Sequence, residues 1–289
     1  MTTVTETVHR RGKGTSAVRP WGAWGLRSLA LIYLALMIMV PLAAVASHGL
    51  SHGLGTFWSD LNRFGAREAL LLTLWTAAFM TAINVVMGTL TAYVLVRYQF
   101  PGKFLLNALI DMPIAIPTLV TGIMIIVLLG PQSWLGGWFT EYDVKIVFAW
   151  PAIILALLFV TFPLTVRAVQ PVLEEVDIDQ EEAARSLGAS QWQTFRRVLL
   201  PALSPAIISG GLLTFARALG EFGSIVIVSG NIPGRTLTAP VHIFGEIEAG
   251  NARSASVMSL VLIAIAVATI LSLDWFQHRR VGKRHEVEL

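Results

Sequence analysis

EEAARSLGASQWQTFRRVLLP, residues 181–201, is a polar stretch between two apolar runs of a chain that is 55% hydrophobic. Gly188 follows residues of good helix-forming composition and is typical of a helix end. Ser190 and Gln193 have the spacing of a capping box, which begins a second helix. The segment 179–201 therefore predicts two short helices, exposed to water and joined by a bend at Gly188.

The second of these helices is predicted to be amphipathic. Trp192, Phe195 and Leu199 fall at i, i+3 and i+7, which places them on one face, whereas Arg196 and Arg197 lie off that face. Such a helix suits the headgroup region of a membrane, which attracts tryptophan and arginine. It also suits a rigid protrusion that docks on a cytoplasmic partner. The pattern alone leaves both interpretations open.

The apolar runs on either side are long enough to cross a bilayer. The mean hydropathy is +0.68 and 13% of the residues are charged, and a helix needs roughly 20 apolar residues to span hydrocarbon. Runs of this length exclude the short alternating strands of a barrel. The prediction is an all-α membrane protein whose domain 28–276 has six transmembrane helices, at 28–47, 69–96, 105–130, 146–166, 203–228 and 255–276.

The first run also has features of a secretory leader. Basic residues precede it, and the small-residue pattern Ala44-Val45-Ala46 follows its apolar centre. The run is longer than most leader cores, and five further apolar runs come after it, so a retained helix is the favoured interpretation. Cleavage remains the alternative.

Lysine and arginine counts predict the orientation. The N-terminal tail 1–27, the turn 97–104, the segment 167–200 and the C-terminal tail 277–289 together hold 15 of these residues, against five in the other connections. By the positive-inside rule both termini are cytoplasmic. The pI of about 9.5 then calls for no nucleic-acid partner. The absence of cysteine excludes disulfides and thiolate sites.

The polar segment carries a known signature. Glu182-Ala183-Ala184, Gly188 and, further on, Leu200-Pro201 have the spacing of the EAA motif, with Val198 where isoleucine is commoner. The chain thus resembles the permease subunits of bacterial ABC importers (type I). The resemblance implies that the segment is a coupling region held in a cleft of a cytoplasmic ATPase. The residues assigned to coupling are Glu182, Ala183, Ala184, Gly188, Trp192, Phe195, Leu200 and Pro201.

Longer segments are similar to the sulfate/thiosulfate permeases of such importers. They are YQFPGKFLLNALIDMPIAIPTLVTG, VRAVQPVLEEV and FARALGEFGSIVIVSGNIPGRTLTAPVHIF, and within them IPTLVTG and QPVLEE resemble the T-type (U-type) subunit more than its W-type companion. Molybdate permeases share the GEFG and NIPG-like parts. The resemblance therefore implies sulfate or thiosulfate import, with molybdate or tungstate as the alternative.

The energy source is predicted to lie on other subunits. The chain has no G-x-x-x-x-G-K-[ST] phosphate loop, so it is not expected to be an enzyme or to bind a cofactor. ATP and Mg would belong to the partner ATPase. The resemblance implies two ATP-binding subunits, a second homologous (W-type) permease, an extracytoplasmic sulfate-binding protein and a bacterial inner-membrane location. A different class, a self-sufficient secondary carrier, would use ionisable residues inside the spans.

Three such residues are present: Asp111 in the third predicted span, and Arg217 and Glu221 in the fifth. Arg217 and Glu221 are i,i+4 on one predicted helix, so the favoured interpretation is a structural ion pair. The functional alternative is that Arg217 supplies positive potential to a dianion that crosses the interface, while Glu221 holds the geometry of the arginine and limits trapping of the anion. Gly220 and Gly223 would allow a neighbouring helix to approach closely. Asp111 is expected near the cytoplasmic end, close to Lys103.

The third predicted span must bend. Pro113 and Pro117 lie four residues apart, and Thr118 and Thr121 follow directly. A kinked helix with hydroxyl groups and a free helix N-terminus suits an oxyanion. Pro117, Thr118 and Thr121 are therefore candidates for the translocation pathway, together with Arg217 and Glu221. A proline kink without substrate contact is the alternative.

Two further candidate sites lie outside the predicted spans. The turn-rich segment 229–236 is predicted to lie outside the cell, where Asn231 and Arg235 are candidates for an outer gate; an ordinary loop is the alternative. His48 and His52 could pair on a metal only in a helix, which the surrounding glycines make doubtful. No metal site is predicted.

Overall fold

The structure is a computed structural model that describes residues 20–285, with side chains described for residues 24–273 and 275. Every regular element within these residues is a helix. In chain order the helices are α1 Pro20–Leu50, α2 Gly53–Leu61, α3 Ala66–Arg97, α4 Lys103–Ala115, α5 Thr118–Leu129, α6 Trp134–Glu141, α7 Trp150–Glu175, α8 Ile178–Ser186, α9 Gln191–Thr194, α10 Leu200–Leu219, α11 Gly223–Val228, α12 Ala239–Glu248 and α13 Ala252–His285.

The chain divides into two compact units, Met1–Ala44 and Val45–Leu289. The described part of the first unit is one apolar helix with exposed side chains. Helix α1, which begins in this unit, contains the segment Trp24–Leu50, and this segment is long and apolar enough to span a membrane, as predicted for 28–47. Most of the predicted tail 1–27 lies outside the described residues, and retention of the first span stays a prediction.

Three long helices, α3, α7 and α10, form the centre of the second unit. Met80 and Leu157 are completely or almost completely buried between them. Polar contacts cross the same interface: Asn84 Nδ2 donates to Thr161 Oγ1 at 2.9 Å. Gly88 allows the approach of α7 to α3, because a Cβ at this position would lie 2.8 Å from the Thr165 methyl carbon.

A second apolar cluster closes one end of this bundle. Leu95, Leu173, Leu199 and Leu203 are buried there, with Phe195 packed against them. These residues join the last turns of α3 and α7 to the segment that carries the EAA motif. We call this the EAA end; it is the end for which the charge counts predict a cytoplasmic location.

The number and class of the spans agree with the prediction. Among the residues that the structure describes, five helices are long and apolar enough to cross a membrane, and α4 with α5 is a sixth if this bent pair counts as one span. The two helices meet at an angle of 113°, with Ile116 and Pro117 between them. The bend expected from Pro113 and Pro117 is therefore present.

Two helices end at residues other than the predicted span ends. The fourth predicted span ends at 166, whereas α7 continues to Glu175; the charge of Arg167 is balanced by an ion pair, so the helix need not end there. The fifth predicted span runs to 228, but no single helix does so. Its helix ends at Leu219, and Gly223–Val228 is a separate short helix, because a buried glutamate at 221 binds the start of the new helix.

Candidate functional site

The first helix of the predicted pair ends as the sequence indicated. In α8 the amide of Gly188 donates to the carbonyl of Arg185 at 2.9 Å, and the amide of Ala189 donates to that of Ala184 at 3.1 Å. This is a Schellman motif, which needs a left-handed residue after the helix, and Gly188 has φ = +86°. The bend between the two helices therefore depends on Gly188.

The second helix begins as predicted but does not end where the next span starts. Ser190 Oγ accepts from the amide of Gln193, and Gln193 Oε1 accepts from the amide of Ser190, which completes the capping box. After α9 a π-helical turn, Phe195–Leu199, leads into α10 without a break. Gln191–Leu219 is thus one helix of 29 residues, and the prediction of a separate second helix was wrong. Pro201 is accommodated in the first turn of α10.

The residues assigned to coupling fall into two groups. Glu182, Ala183, Gly188 and Pro201 are exposed, as are Trp192 and Leu200. Ala184 and Phe195 are partly buried. The apolar stripe is therefore divided, since Leu199 belongs to the core while Trp192 is 67% exposed.

Sequence reasoning missed one exposed apolar residue in this segment. Leu187, the residue before Gly188, is 89% exposed. Trp192 stacks on Phe195 with ring centroids 5.8 Å apart, so its ring is held in place. The coupling segment thus presents two exposed apolar side chains, Leu187 and Trp192, together with the exposed Glu182, a composition suited to binding a partner. The exposure of Leu187 could have been suspected from the sequence, because this apolar residue directly precedes a glycine that ends a helix.

An ion pair at the EAA end was also missed. Arg97 Nε donates to Glu181 Oε1 at 2.7 Å, and the side chains of Arg97 and Glu181 are only 11% and 3% exposed. Arg185, four residues further along the same helix, lies 3.4 Å from the other carboxylate oxygen. The carboxylate of Glu181 is therefore shared by two arginines, one of them on α3.

The bent span brings the predicted pathway residues of α5 against α11. Thr118 is the first residue of α5, with Pro117 as its N-cap. A Cβ placed on Gly223 would lie within 2.2 Å of Thr118 Oγ1 and 3.2 Å of the Leu119 amide nitrogen. The Oγ1 atom of Thr121 is buried and has no hydrogen-bond partner among the described residues. The start of α5 thus rests directly on the start of α11.

The predicted ion pair is present, although Glu221 lies outside the helix. Arg217 Nη1, in the last turn of α10, is 3.0 Å from Glu221 Oε2. The Arg217 side chain is 42% exposed, whereas that of Glu221 is 1% exposed. The other carboxylate oxygen accepts from the amide and the hydroxyl of Ser224, at 3.1 and 2.9 Å. Glu221 therefore fixes the junction of α10 and α11.

Asp111 is bound by a single arginine. Arg167 Nε donates to Asp111 Oδ1 at 2.8 Å and its Nη2 donates to Oδ2 at 2.5 Å, so the pair is bidentate. Arg167 Nη1 also donates to Gln170 Oε1 at 2.6 Å. Since this ion pair joins α4 to α7, Asp111 is held as part of the scaffold.

Asn231, one of the two candidates for the outer gate, makes hydrogen bonds within its own loop. Asn231 has φ = +54°, its Nδ2 donates to the carbonyl of Val226 at 2.9 Å, and its Oδ1 accepts from Ser229 Oγ. These contacts shape the loop after α11. Arg235 is exposed on the same loop, and its role in a gate stays a prediction.

On α12, which follows this loop, burial lowers the pKa of His242 from its ordinary value, although nearby Glu246 acts in the opposite direction. The imidazole is therefore neutral at pH 7.

The residues predicted to act in coupling and those predicted to line the pathway thus lie in two separate groups. The coupling residues lie at the EAA end, whereas Thr118 on α5, Arg217 on α10 and Glu221 meet α11 elsewhere in the bundle. The continuous helix Gln191–Leu219 belongs to both groups, since it begins in the coupling segment and ends beside Glu221. Motion at one group can therefore reach the other through a single helix.

Comparison with known proteins agrees with this arrangement. Residues 84–282 match the family model described as "Binding-protein-dependent transport system inner membrane component". The match covers α4 to α12 completely, and therefore both groups of residues.

Two relatives are similar to the chain over most of its length. The probable sulfate transport system permease protein CysT of Chlorokybus atmophyticus is 41% identical, over 89% of this chain and 88% of the relative. The sulfate transport system permease protein CysW of Synechocystis is 40% identical, over 88% of this chain and 92% of the relative. Because both subunit types match almost equally well, assignment to the T-type stays a prediction.

The fold has a counterpart among solved structures. A bacterial ABC transporter involved in the import of the acidic polysaccharide alginate contains a chain that superposes with a TM-score of 0.76, over 90% of this chain and 96% of that chain, at 14% identity. At this identity the likeness concerns the fold alone. The family match and the two permease relatives show that the chain belongs to the binding-protein-dependent transport system inner membrane components, among the sulfate transport permeases.

Proposed function

We propose that the chain is the transmembrane permease subunit of an ATP-driven importer, and that it moves sulfate or thiosulfate into a bacterial cell by alternating access. The observation that carries this proposal is a complete EAA segment, exposed at its tip, in a chain 41% identical to a sulfate permease. ATP and Mg are bound and hydrolysed by two partner ATPase subunits. A second, homologous permease and an extracytoplasmic sulfate-binding protein complete the importer in the inner membrane.

The coupling segment supports this role through its stiffness and its surface. Leu187 and Trp192 are apolar side chains that enter a cleft on the ATPase subunit, and Glu182 adds a charge beside them. The capping box and the Schellman motif leave few backbone groups free to move. A displacement of the tip therefore passes into the continuous helix Gln191–Leu219.

The anion passes the group formed by α5, α10 and α11. Arg217 offers positive charge on its exposed side, and the bend at Pro117 leaves the first amides of α5 without helical partners. Glu221 neutralises part of the arginine charge, which keeps the binding of a dianion weak enough for release. Thr118 supplies a hydroxyl at the same place.

Uptake of labelled sulfate tests the proposed function. Cells that lack the chain are expected to lose most of their sulfate uptake under sulfur limitation, and the wild-type chain is expected to restore it. Excess unlabelled thiosulfate should compete, whereas excess molybdate should not. Unchanged sulfate uptake after deletion would reject the proposal, and competition by molybdate alone would favour a molybdate permease.

Charge reversal at Glu182 tests the coupling role. Glu182 is exposed, so Glu182→Lys is expected to leave the chain folded but to place a like or unpaired charge in the ATPase cleft, lowering sulfate uptake by about tenfold or more. Co-purification of the ATPase subunits should fall in parallel. Glu175→Lys is the control, because Glu175 is exposed at the end of α7 but lies outside the EAA segment. Equal uptake in the two variants would contradict a coupling role for Glu182.

A further inference from the structure

The last turn of α3 makes contacts that join several elements at the EAA end. Arg97 Nε donates to Glu181 Oε1 at 2.7 Å, and Arg97 Nη2 donates to the carbonyl oxygen of Val176 at 3.0 Å. Glu181 lies on α8, and Val176 is the C-cap of α7. One side chain of α3 therefore binds both ends of the short connection between α7 and α8.

The environment of these contacts makes them firm. The side chains of Arg97 and Glu181 are almost completely buried, so water competes little for their hydrogen bonds. The planar guanidinium uses one donor for the Glu181 carboxylate and another for the Val176 carbonyl. It therefore fixes the positions of these two acceptors more strictly than a lysine would. The carbonyl of Val176 would otherwise be a free acceptor at a helix C-terminus.

The same turn of α3 also contacts the second helix of the pair. The ring of Tyr93 meets that of Phe195 edge to face, with centroids 6.1 Å apart. Tyr93 is one helical turn from Arg97, so the two side chains lie on the same side of α3. The last turn of α3 thus holds one helix of the pair by an ion pair and the other by a ring contact.

We propose that Arg97 and Glu181 are positioning residues, which fasten α8 to the second transmembrane helix so that α3 and α7 follow every displacement of the coupling segment. This inference rests on the proposed function, because it assigns the parts that move when the ATPase acts. The continuous helix and the buried cluster of Leu199 and Leu203 already join the second part of the coupling segment to the bundle. The Arg97 contacts add a direct link from α8 to α3 and to the end of α7, so that both parts of the coupling segment move with the bundle.

Two substitutions of Arg97, by glutamine and by lysine, test this assignment. They are measured in the assembled importer, reconstituted with its ATPase subunits, second permease and binding protein. Per assembled complex, Arg97→Gln is expected to reduce the stimulation of ATP hydrolysis by sulfate-loaded binding protein about fivefold or more. Arg97→Lys should be intermediate, since lysine reaches the carboxylate but cannot also bind the Val176 carbonyl.

Arg253→Gln is a matched control. It breaks an ion pair of similar length, 3.0 Å, to the buried carboxylate of Asp60, which belongs to α2 rather than to the EAA end. A merely structural role of Arg97 would lower the yield of complex in both variants and leave stimulation per complex unchanged. Equal stimulation in Arg97→Gln, Arg253→Gln and wild-type complexes would overturn the inference.

A distance measurement tests the same inference without using substrate. The chain contains no cysteine, so spin labels can be placed at Val94→Cys on α3 and Gln180→Cys on α8, which are both exposed. In the full-length chain the distance distribution should be narrow, and in the complex it should not shift when ATP is trapped. Adding Arg97→Gln should broaden it.

The two experiments separate the inference from the function on which it rests. A wild-type distance that shifts on trapping, or a distribution that Arg97→Gln leaves narrow, would overturn the positioning role. A wild-type complex that does not respond to sulfate-loaded binding protein would instead reject the proposed substrate, and the distance measurement would still decide the role of Arg97.

Discussion

Replacement of Gly223 by valine is expected to abolish sulfate uptake. Even a single Cβ at this position would lie 2.2 Å from Thr118 Oγ1, 3.2 Å from the Leu119 amide nitrogen and 3.3 Å from Thr118 Cβ. A rotation of the threonine would relieve only the first of these contacts, so α5 must move away from α11. Such overpacking typically costs about 1–3 kcal/mol, and it displaces the group that we propose binds the anion.

Neighbouring glycines provide the controls for this variant. A Cβ added to Gly220 would have no atom within 4 Å, so Gly220→Ala should transport sulfate normally. Gly122, on the opposite side of the same crossing, would bring a Cβ to 2.8 Å from the carbonyl oxygen of Ser224, and Gly122→Val should resemble Gly223→Val. Sulfate uptake and the melting temperature of the purified chain measure the effects. Normal uptake in Gly223→Val would disprove the close packing.

Replacement of Gly188 by valine should lower sulfate uptake about tenfold while the chain stays in the membrane. No atom lies within 4 Å of a Cβ at Gly188, so the effect comes from the backbone. A residue with a side chain at φ = +86° costs about 1–2 kcal/mol, and a β-branched one is disfavoured further. The angle between α8 and α9 would change, and the tip would no longer fit its partner.

Asparagine distinguishes this explanation from a general intolerance of substitution. Asn adopts left-handed backbone conformations more readily than other residues, so Gly188→Asn should keep most of the uptake and of the ATPase association. Co-purification of the ATPase subunits with each variant provides the second measurement. If Gly188→Asn and Gly188→Val were equally impaired, the left-handed conformation would not be the reason for glycine.

Local signals in the sequence predicted the parts of the site that local contacts determine. The Schellman glycine at 188 and the box of Ser190 with Gln193 are both present, because each motif is complete within six residues. The bend at Pro117 was predictable for the same reason. The alternation of apolar runs and charges was sufficient for the fold class.

Features that depend on distant parts of the chain could not be predicted in this way. Arg97 and Glu181 are 84 residues apart, and in the sequence Arg185 was the nearer partner of Glu181. The fifth span was extended too far because residues 220–228 are apolar enough to continue it, whereas the buried Glu221 caps a new helix instead. The exposure of Leu187 depends on the absence of packed neighbours, which composition does not record.

The π-helical turn at Phe195–Leu199 lies within the continuous helix Gln191–Leu219. It determines how the side chains before the turn are rotated around the helix axis relative to those after it. Each residue of an α-helix advances the side chains by about 100° around the axis, and a π turn accommodates one residue more than an α turn would. Deleting one residue within 195–199 would therefore give an ordinary α turn and leave the Trp192 face nearly unchanged relative to the face of α10 that the bundle buries, whereas deleting one residue from the first turn of α10 would rotate the two faces by about 100°. The π turn thus holds one extra residue while the direction in which this helix receives force stays aligned with the direction in which it applies it.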